Sequence, residues 1–112
     1  MKEAAAMEYL QSADQFNQKI KGDKVIMYFT AGWCPDCTFI ETVLPGIEAE
    51  FSDFTFVQVD RDEFIAICQD YDVFGIPSFL VFHQGEEVGR FVSKDRKTKE
   101  EITQFLKDLP VN

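Results

Sequence analysis

The stretch that decides the fold is KVIMYFTAGWCPDCTFIETVL, residues 24–44. Its first part is a continuous apolar run, which is typical of a strand covered on both faces. Its last part repeats apolar residues at helical spacing, at Phe39, Ile40, Val43 and Leu44. Between the two parts stand Cys34 and Cys37. The stretch therefore predicts a strand followed by a helix, with a C-x-x-C pair at the helix N-terminus.

The rest of the chain alternates between helical and strand patterns. Helices are predicted over residues 12–21, 37–51 and 61–72 and after Thr98, and strands over 24–30, 54–60, 77–83 and 87–93. The pairs Ser12 with Gln15 and Thr98 with Glu101 are capping boxes, which mark helix starts. Pro45 is expected to kink or interrupt the second helix. Residues 7–10 fit a short strand or a helix. The last helix is expected to bury Ile102, Phe105, Leu106 and Leu109.

This order of elements predicts an α/β fold. Strands that alternate with helices favour parallel pairing, and the short turn at Gly85 adds one antiparallel pair. We expect a central mixed β-sheet with helices on both faces. A length of 112 residues suits one domain, over residues 1–112, and a hydrophobic content of 46% supplies a core without disulfide staples.

Composition argues against several functions. A net charge of −9 repels phosphate backbones, so no nucleic-acid partner is expected. No apolar run approaches the roughly 18 residues of a membrane span, and the first residues lack the pattern of a secretory signal. Three cysteines are an odd count, unlike that of a secreted disulfide scaffold. A cytoplasmic monomer without a membrane partner is expected.

The position of the cysteine pair suggests its chemistry. Free N–H groups and the positive end of the dipole at a helix N-terminus stabilise a thiolate, which is both the nucleophile and the metal-ligating form. Cys34 is expected at the exposed helix start and Cys37 one turn inside, shielded, so that the first attacks and the second resolves. Pro35 suits a first helical turn. Asp36 favours the helix dipole but repels a thiolate on Cys34. Trp33 is expected to be partly exposed beside the sulfur.

A metal site is the second interpretation of the pair. Tetrahedral sites usually take four ligands. The chain offers one C-x-x-C and a single His, His83, and no second cysteine pair, so a tetrahedral metal site would lack ligands. Cys68 lies among apolar residues and is expected to be a buried, inert thiol.

A second feature lies far along the chain, in FGIPSF at residues 74–79. Pro77 is either a neutral start of a strand or part of a cis Ile76–Pro77 bond that presents backbone groups beside Cys34.

Taken together, three features resemble the thioredoxin family. They are WCPDC after an apolar strand, the pair Val59–Asp60 followed by a helix, and VFGIPSFLVFHQGEEVGRF at residues 73–91. The resemblance covers nearly the whole chain from Ser12 onward. It implies a thioredoxin-like fold and a thiol–disulfide oxidoreductase that reduces protein or small-molecule disulfides and contributes to cell redox homeostasis.

The resemblance also implies roles for single residues. Cys34 would attack a substrate disulfide, Cys37 would resolve the mixed disulfide, and Pro77 would be the cis-proline. The substrate groove would be lined by Trp33, Phe74, Gly75, Ile76 and Ser93. No cofactor would be bound. Disulfide-containing proteins would be partners, and electrons would come from NADPH through a thioredoxin-reductase-type flavoenzyme.

Two departures from the family pattern concern proton transfer. Typical thioredoxins carry a buried Asp six residues before the first cysteine, where Tyr28 stands here, and a Lys partner where Phe56 stands. Losing both avoids a lone buried charge, which would cost roughly 3–5 kcal/mol. Because that acid is thought to accept the proton of the resolving cysteine, Cys37 is expected to be harder to deprotonate. Glu41, Asp36 or water are the candidate substitutes. The departures keep open a third interpretation, a binding module with the same fold and low turnover.

Overall fold

A computed structural model describes residues 7–111. Its elements, in chain order, are β1 (Glu8–Tyr9), α1 (Ala13–Lys19), β2 (Val25–Thr30), α2 (Pro35–Glu50), β3 (Thr55–Asp60), α3 (Ile65–Asp70), β4 (Ser78–His83), β5 (Glu86–Phe91) and α4 (Lys99–Lys107). The segment at residues 7–10, which the sequence left open, contains the short strand β1.

The five strands form one mixed sheet in the order β1-β3-β2-β4-β5. The pairs β1–β3 and β2–β3 are parallel, and the pairs β2–β4 and β4–β5 are antiparallel. The crossover from β2 to β3 contains α2, as parallel pairing requires. The α/β fold with a mixed central sheet, predicted from the alternating pattern, is confirmed.

Both faces of the sheet are covered, and β2 shows why. Its six residues are all buried. Because strand side chains alternate between faces, Ile26 and Tyr28 join one apolar cluster with residues of α2 and α4, while Met27 and Phe29 join a second cluster with residues of α1 and α3. This double burial explains the continuous apolar run in the sequence.

Several element boundaries differ from the predictions. α2 begins at Pro35, two residues before the predicted start, and it continues through Pro45 as one helix, so Pro45 does not interrupt it. α3 begins at Ile65 instead of residue 61, because the Asp60 carboxylate accepts the N–H groups of Asp62 (2.9 Å) and Glu63 (3.3 Å) and folds this segment into a turn.

Of the two predicted capping boxes, the one at α4 is complete and the one at α1 is not. At α4 both reciprocal bonds of Thr98 and Glu101 are present. At α1 the Ser12 hydroxyl accepts the Gln15 N–H, but the Gln15 side chain takes the N–H of Gln11 instead of that of Ser12.

Two aromatic side chains are less buried than their helical spacing predicts. Phe105 of α4 is half-buried at the edge of the core. Phe39 of α2 is 36% exposed, and the Arg96 guanidinium lies 4.8 Å from the centre of its ring. Among residues 7–111, no helix has both the length and the apolar character needed to cross a membrane.

Candidate active site

Four chain segments meet at one end of the sheet. β2 and β3 are parallel and end together at Thr30 and Asp60. β4 is antiparallel to β2, so its start at Ser78 lies beside Phe29. β5 ends at Phe91 beside Phe79. The loop that carries Cys34, the turn at Arg61, the segment before Pro77 and the segment after β5 are thereby brought to the same edge.

Cys34 is the N-cap residue of α2. Its Sγ accepts the backbone N–H of Cys37 at 3.2 Å, so the sulfur takes the place that a Ser or Asp oxygen often has at a helix start. Cys34 is only 5% exposed, because it packs with Ala31 and Ile76. The expectation of an exposed Cys34 was therefore wrong; the sulfur lies in the wall of a cavity.

Cys37 is fully buried, one turn inside the helix, as predicted. Burial, followed by the hydrogen bond and the charge of Cys34, raises the pKa of the Cys37 thiol to about 11. Neither cysteine is in a disulfide. At neutral pH the buried member of the pair is therefore a thiol, and it must lose its proton before it can attack.

Tyr28 lies below Cys37, at the position where the resemblance to thioredoxins predicts a buried Asp. Its ring stacks on Phe79 with centroids 5.2 Å apart, and its hydroxyl lies 3.4 Å from the Cys37 carbonyl oxygen, too far for a strong hydrogen bond. Burial raises the pKa of the Tyr28 hydroxyl above its ordinary range. Phe56 belongs to the same apolar cluster as Tyr28.

Glu41, one of the candidate proton acceptors, is exposed and borders a separate cavity beside Leu44 and Pro45. No hydrogen bond joins Glu41 to Cys37 in the described part of the chain.

Asp36 has a partner that sequence reasoning missed. Arg96, which follows β5, donates from Nε to the Asp36 carboxylate at 2.9 Å. The cation offsets the repulsion that Asp36 would exert on a thiolate at Cys34. The two residues are sixty positions apart in the chain, and no local pattern indicates the pair.

Trp33 is 62% exposed beside Cys34, and Pro35 is exposed as well. The Trp33 indole N–H donates to the Asp62 carboxylate at 2.6 Å, and the Arg61 guanidinium lies 5.8 Å from the centre of the indole ring. These contacts hold a large apolar surface at the rim of the site.

The Ile76–Pro77 peptide bond is cis, and Pro77 is buried. Just before it, Gly75 lies directly against the backbone that follows β5. A Cβ atom on Gly75 would lie 2.6 Å from the Ser93 carbonyl carbon and 2.8 Å from the Lys94 nitrogen. Only a glycine permits the two segments to approach this closely.

A cavity of about 300 Å³ opens beside Cys34. Its lining contains the predicted groove residues Phe74, Gly75 and Ile76, and Phe74 is 64% exposed. Ser93 is absent from the lining, and Lys94 stands there instead. The residues that line the cavity are Trp33, Cys34, Pro35, Asp36, Arg61, Phe74, Gly75, Ile76 and Lys94.

Lys97 is a second residue that sequence reasoning missed. It is only 1% exposed. Its Nζ donates to the Ser93 carbonyl (3.3 Å), the Ser93 hydroxyl (3.0 Å) and the Asp95 carbonyl (3.1 Å). Burial lowers the pKa of Lys97, while the charges of Asp95 and Cys37 oppose that shift. The ammonium closes the loop that packs on Gly75.

The third cysteine lies outside this site. Cys68 is buried in the α1–α3 face of the core, and burial raises the pKa of its thiol, in agreement with the expectation of an inert thiol.

Within residues 7–111, no cluster of three or more His, Cys, Asp or Glu side chains could hold a metal ion. The metal interpretation therefore gains no support from this part of the chain.

The mixed sheet and the two free thiols at a helix N-terminus define the class of protein. Proteins that place a C-x-x-C pair at a helix start on such a sheet exchange thiols for disulfides. The protein is a thiol–disulfide oxidoreductase of thioredoxin-like fold.

Comparison with known proteins narrows this class to one family. The thioredoxin family model matches residues 7–108. A thioredoxin H-type of Brassica oleracea is 35% identical over 100 residues, covering 85% of this chain and 79% of its own. Thioredoxin H2-1 of Oryza sativa subsp. japonica is 34% identical over 83 residues, which span 74% of this chain and 60% of the relative. The crystal structure of a thioredoxin from Trypanosoma brucei brucei superposes with a TM-score of 0.84 at 26% identity, covering 95% of this chain and 92% of the other. The chain belongs to the thioredoxin family.

Proposed function

We propose that this protein reduces disulfides of proteins or small molecules, with Cys34 as the nucleophile and Cys37 as the resolving cysteine. The observation that carries the proposal is the asymmetry of the pair. Cys34 Sγ caps α2 and borders the cavity, whereas Cys37 is fully buried behind it. A substrate sulfur that enters the cavity therefore meets Cys34 first.

The reaction has two exchanges. The Cys34 thiolate attacks one sulfur of the substrate disulfide, forms a mixed disulfide and releases the other sulfur as a thiolate. Cys37 then loses its proton and attacks Cys34 Sγ, which forms the Cys34–Cys37 disulfide and releases the second substrate thiol. Two electrons pass to the substrate, so an external reductant must restore the dithiol. Trp33 and Phe74 offer apolar contact to the polypeptide around the disulfide.

The test is disulfide reduction by matched variants. With dithiothreitol as the reductant and insulin as the substrate, Cys34→Ser is expected to lower the rate to that of dithiothreitol alone. Cys68→Ala removes a buried thiol outside the site and is the control, which should keep the wild-type rate. Equal rates for the wild type and Cys34→Ser would contradict the proposal.

The setting of the reaction is also part of the proposal. A dithiol that must be regenerated favours a reducing compartment, the cytoplasm, and electrons from NADPH through a thioredoxin-reductase-type flavoenzyme. Exposed Trp33 and Phe74 border Cys34, and a permanent interface over them would block the site, which favours a monomer. Disulfide-containing proteins are the partners, and the charge of −9 argues against nucleic acid.

A second candidate, a binding module with low turnover, is favoured by one observation. The pKa of Cys37 is raised to about 11 and no carboxylate is hydrogen-bonded to this thiol in the described part of the chain, so resolution is expected to be slow. Recycling by thioredoxin reductase and NADPH at the rate of an ordinary thioredoxin would exclude this candidate. Mixed disulfides that persist for minutes would support it.

A further inference from the structure

The Thr30 hydroxyl is a buried polar group without a partner. Thr30 is 3% exposed, and its Oγ1 has no hydrogen-bond partner in the described part of the chain. Buried hydroxyls are nearly always satisfied, because an unpaired one costs about 1–3 kcal/mol. An exception inside a reactive site calls for an explanation.

The strand places this hydroxyl next to Cys37. Thr30 ends β2, two residues after Tyr28, so both side chains point to the face covered by α2. Cys37 is in the first turn of α2, above the same face. The Thr30 hydroxyl lies near the Cys37 thiol and the Tyr28 hydroxyl without the geometry of a formed hydrogen bond to either, and it acts to lower the pKa of each against the effect of burial.

The other groups around Cys37 are poorly suited to stabilise its anion. Cys34 raises the pKa of Cys37. The Tyr28 hydroxyl points to the Cys37 carbonyl. The Lys97 ammonium, which feels the charge of Cys37, is held by three oxygens of Ser93 and Asp95. Asp36 is paired with Arg96. The Ala31 backbone lowers the pKa of Cys37. Among the side chains around Cys37, Thr30 carries the hydroxyl that has no acceptor for its hydrogen in the described part of the chain.

We propose that Thr30 is a positioning residue for the resolving step, whose hydroxyl donates a hydrogen bond to the Cys37 thiolate as it forms. A hydroxyl can donate as well as accept, so Thr30 Oγ1, which is unpaired in the resting dithiol, can turn its hydrogen to the Cys37 sulfur once the thiol has lost its proton. This role rests on the proposed function of Cys37 as the resolving cysteine.

The step balances without a further reactant. The S–H bond of Cys37 breaks, and the bond between Cys34 and Cys37 forms as the bond between Cys34 and the substrate sulfur breaks. The proton that Cys37 releases matches the one that the departing substrate thiolate takes up. Thr30 keeps its own proton throughout, and no electron comes from outside.

One chromogenic disulfide separates the two exchanges. With equimolar 5,5′-dithiobis(2-nitrobenzoate) in a Cys68→Ala background, attack by Cys34 releases the first thionitrobenzoate anion and resolution by Cys37 releases the second. Thr30→Val is close in shape and lacks the hydroxyl. It is expected to slow the second release about tenfold, as loss of a hydrogen bond to a charged group predicts, and to move the pH profile of that release to higher pH. Thr30→Ser should restore the second release.

The stability of Thr30→Val is expected to change in the opposite direction to its rate of resolution. Because Thr30→Val removes an unpaired buried hydroxyl, its urea midpoint is expected to equal or exceed that of the parent, so slower resolution cannot be attributed to a damaged fold. A second release within twofold of the parent, after an intact first release, would overturn the role of Thr30 alone. Absence of the first release in the parent would overturn the proposed function itself.

Discussion

At the scale of single residues, Tyr28 and Phe56 distinguish this site from the usual family pattern. Both lie in the apolar cluster under α2, and Tyr28 is fully buried. A buried carboxylate in place of Tyr28 would have no cation opposite it, because Phe56 occupies the place of the family's lysine. The two substitutions therefore depend on each other.

This dependence gives a double-mutant prediction. Tyr28→Asp is expected to lower the free energy of unfolding by roughly 3–5 kcal/mol at neutral pH, since it leaves a buried charge without a partner. Adding Phe56→Lys should recover part of that loss. Urea unfolding of the wild type, both single variants and the double variant measures the coupling energy. Additive losses would show that the two sites do not interact.

The sequence predicted the residues of the site better than their surroundings. The C-x-x-C spacing and the helix start are local, so Cys34, Cys37 and Pro35 were identified directly. Arg96, Lys97 and Thr30 were not, because their importance arises from contacts with distant segments. A polar Thr30 at the end of the apolar run VIMYFT was the one local signal that a buried polar group was present.

At the scale of elements, the site depends on loops held together by close backbone contact. Gly75 contacts the backbone of Ser93 and Lys94. Lys97 stabilises the segment after β5 by donating hydrogen bonds to the carbonyl oxygens of Ser93 and Asp95. The apolar periodicity predicted the strands and helices on either side, but not this contact. The same limit explains the late start of α3, which is set by the Asp60 side chain.

Gly75→Ala tests the contact between the segments. The added methyl group would meet backbone atoms that cannot yield by rotation, so the loops must separate. We expect lower stability, by about 1–3 kcal/mol, and slower disulfide reduction. Gly32→Ala is the matched control, since Gly32 lies in the same site and its Cβ would have nothing within 4 Å. Urea unfolding and the insulin assay measure both effects; similar losses in the two variants would refute the role of the contact.

At the scale of the whole molecule, the buried thiols couple stability to alkaline pH. The pKa of Cys37 is raised from 9.0 to about 11, and that of Cys68 is raised in the same direction. An unfolded thiol loses its proton near pH 9, whereas the folded one retains it. Stability is therefore full below pH 9 and is lost as the pH rises toward 11.

The expected loss from Cys37 is on the order of 2 kcal/mol. Urea unfolding of the reduced protein between pH 8 and pH 11 measures it. Cys37→Ala removes one titrating thiol and should flatten the pH dependence in this range. An unchanged slope in that variant would show that Cys37 is not the group responsible.

The most direct test of the central claim is the site of the mixed disulfide. Cys37→Ser removes the resolving thiol, so a peptide with one disulfide should remain attached after the first exchange. Mass spectrometry of the digested adduct is expected to find the peptide on Cys34 alone, and Cys34→Ser should form no adduct. Attachment at Cys68, or no adduct on the Cys37→Ser protein, would contradict the assignment of Cys34 as the nucleophile.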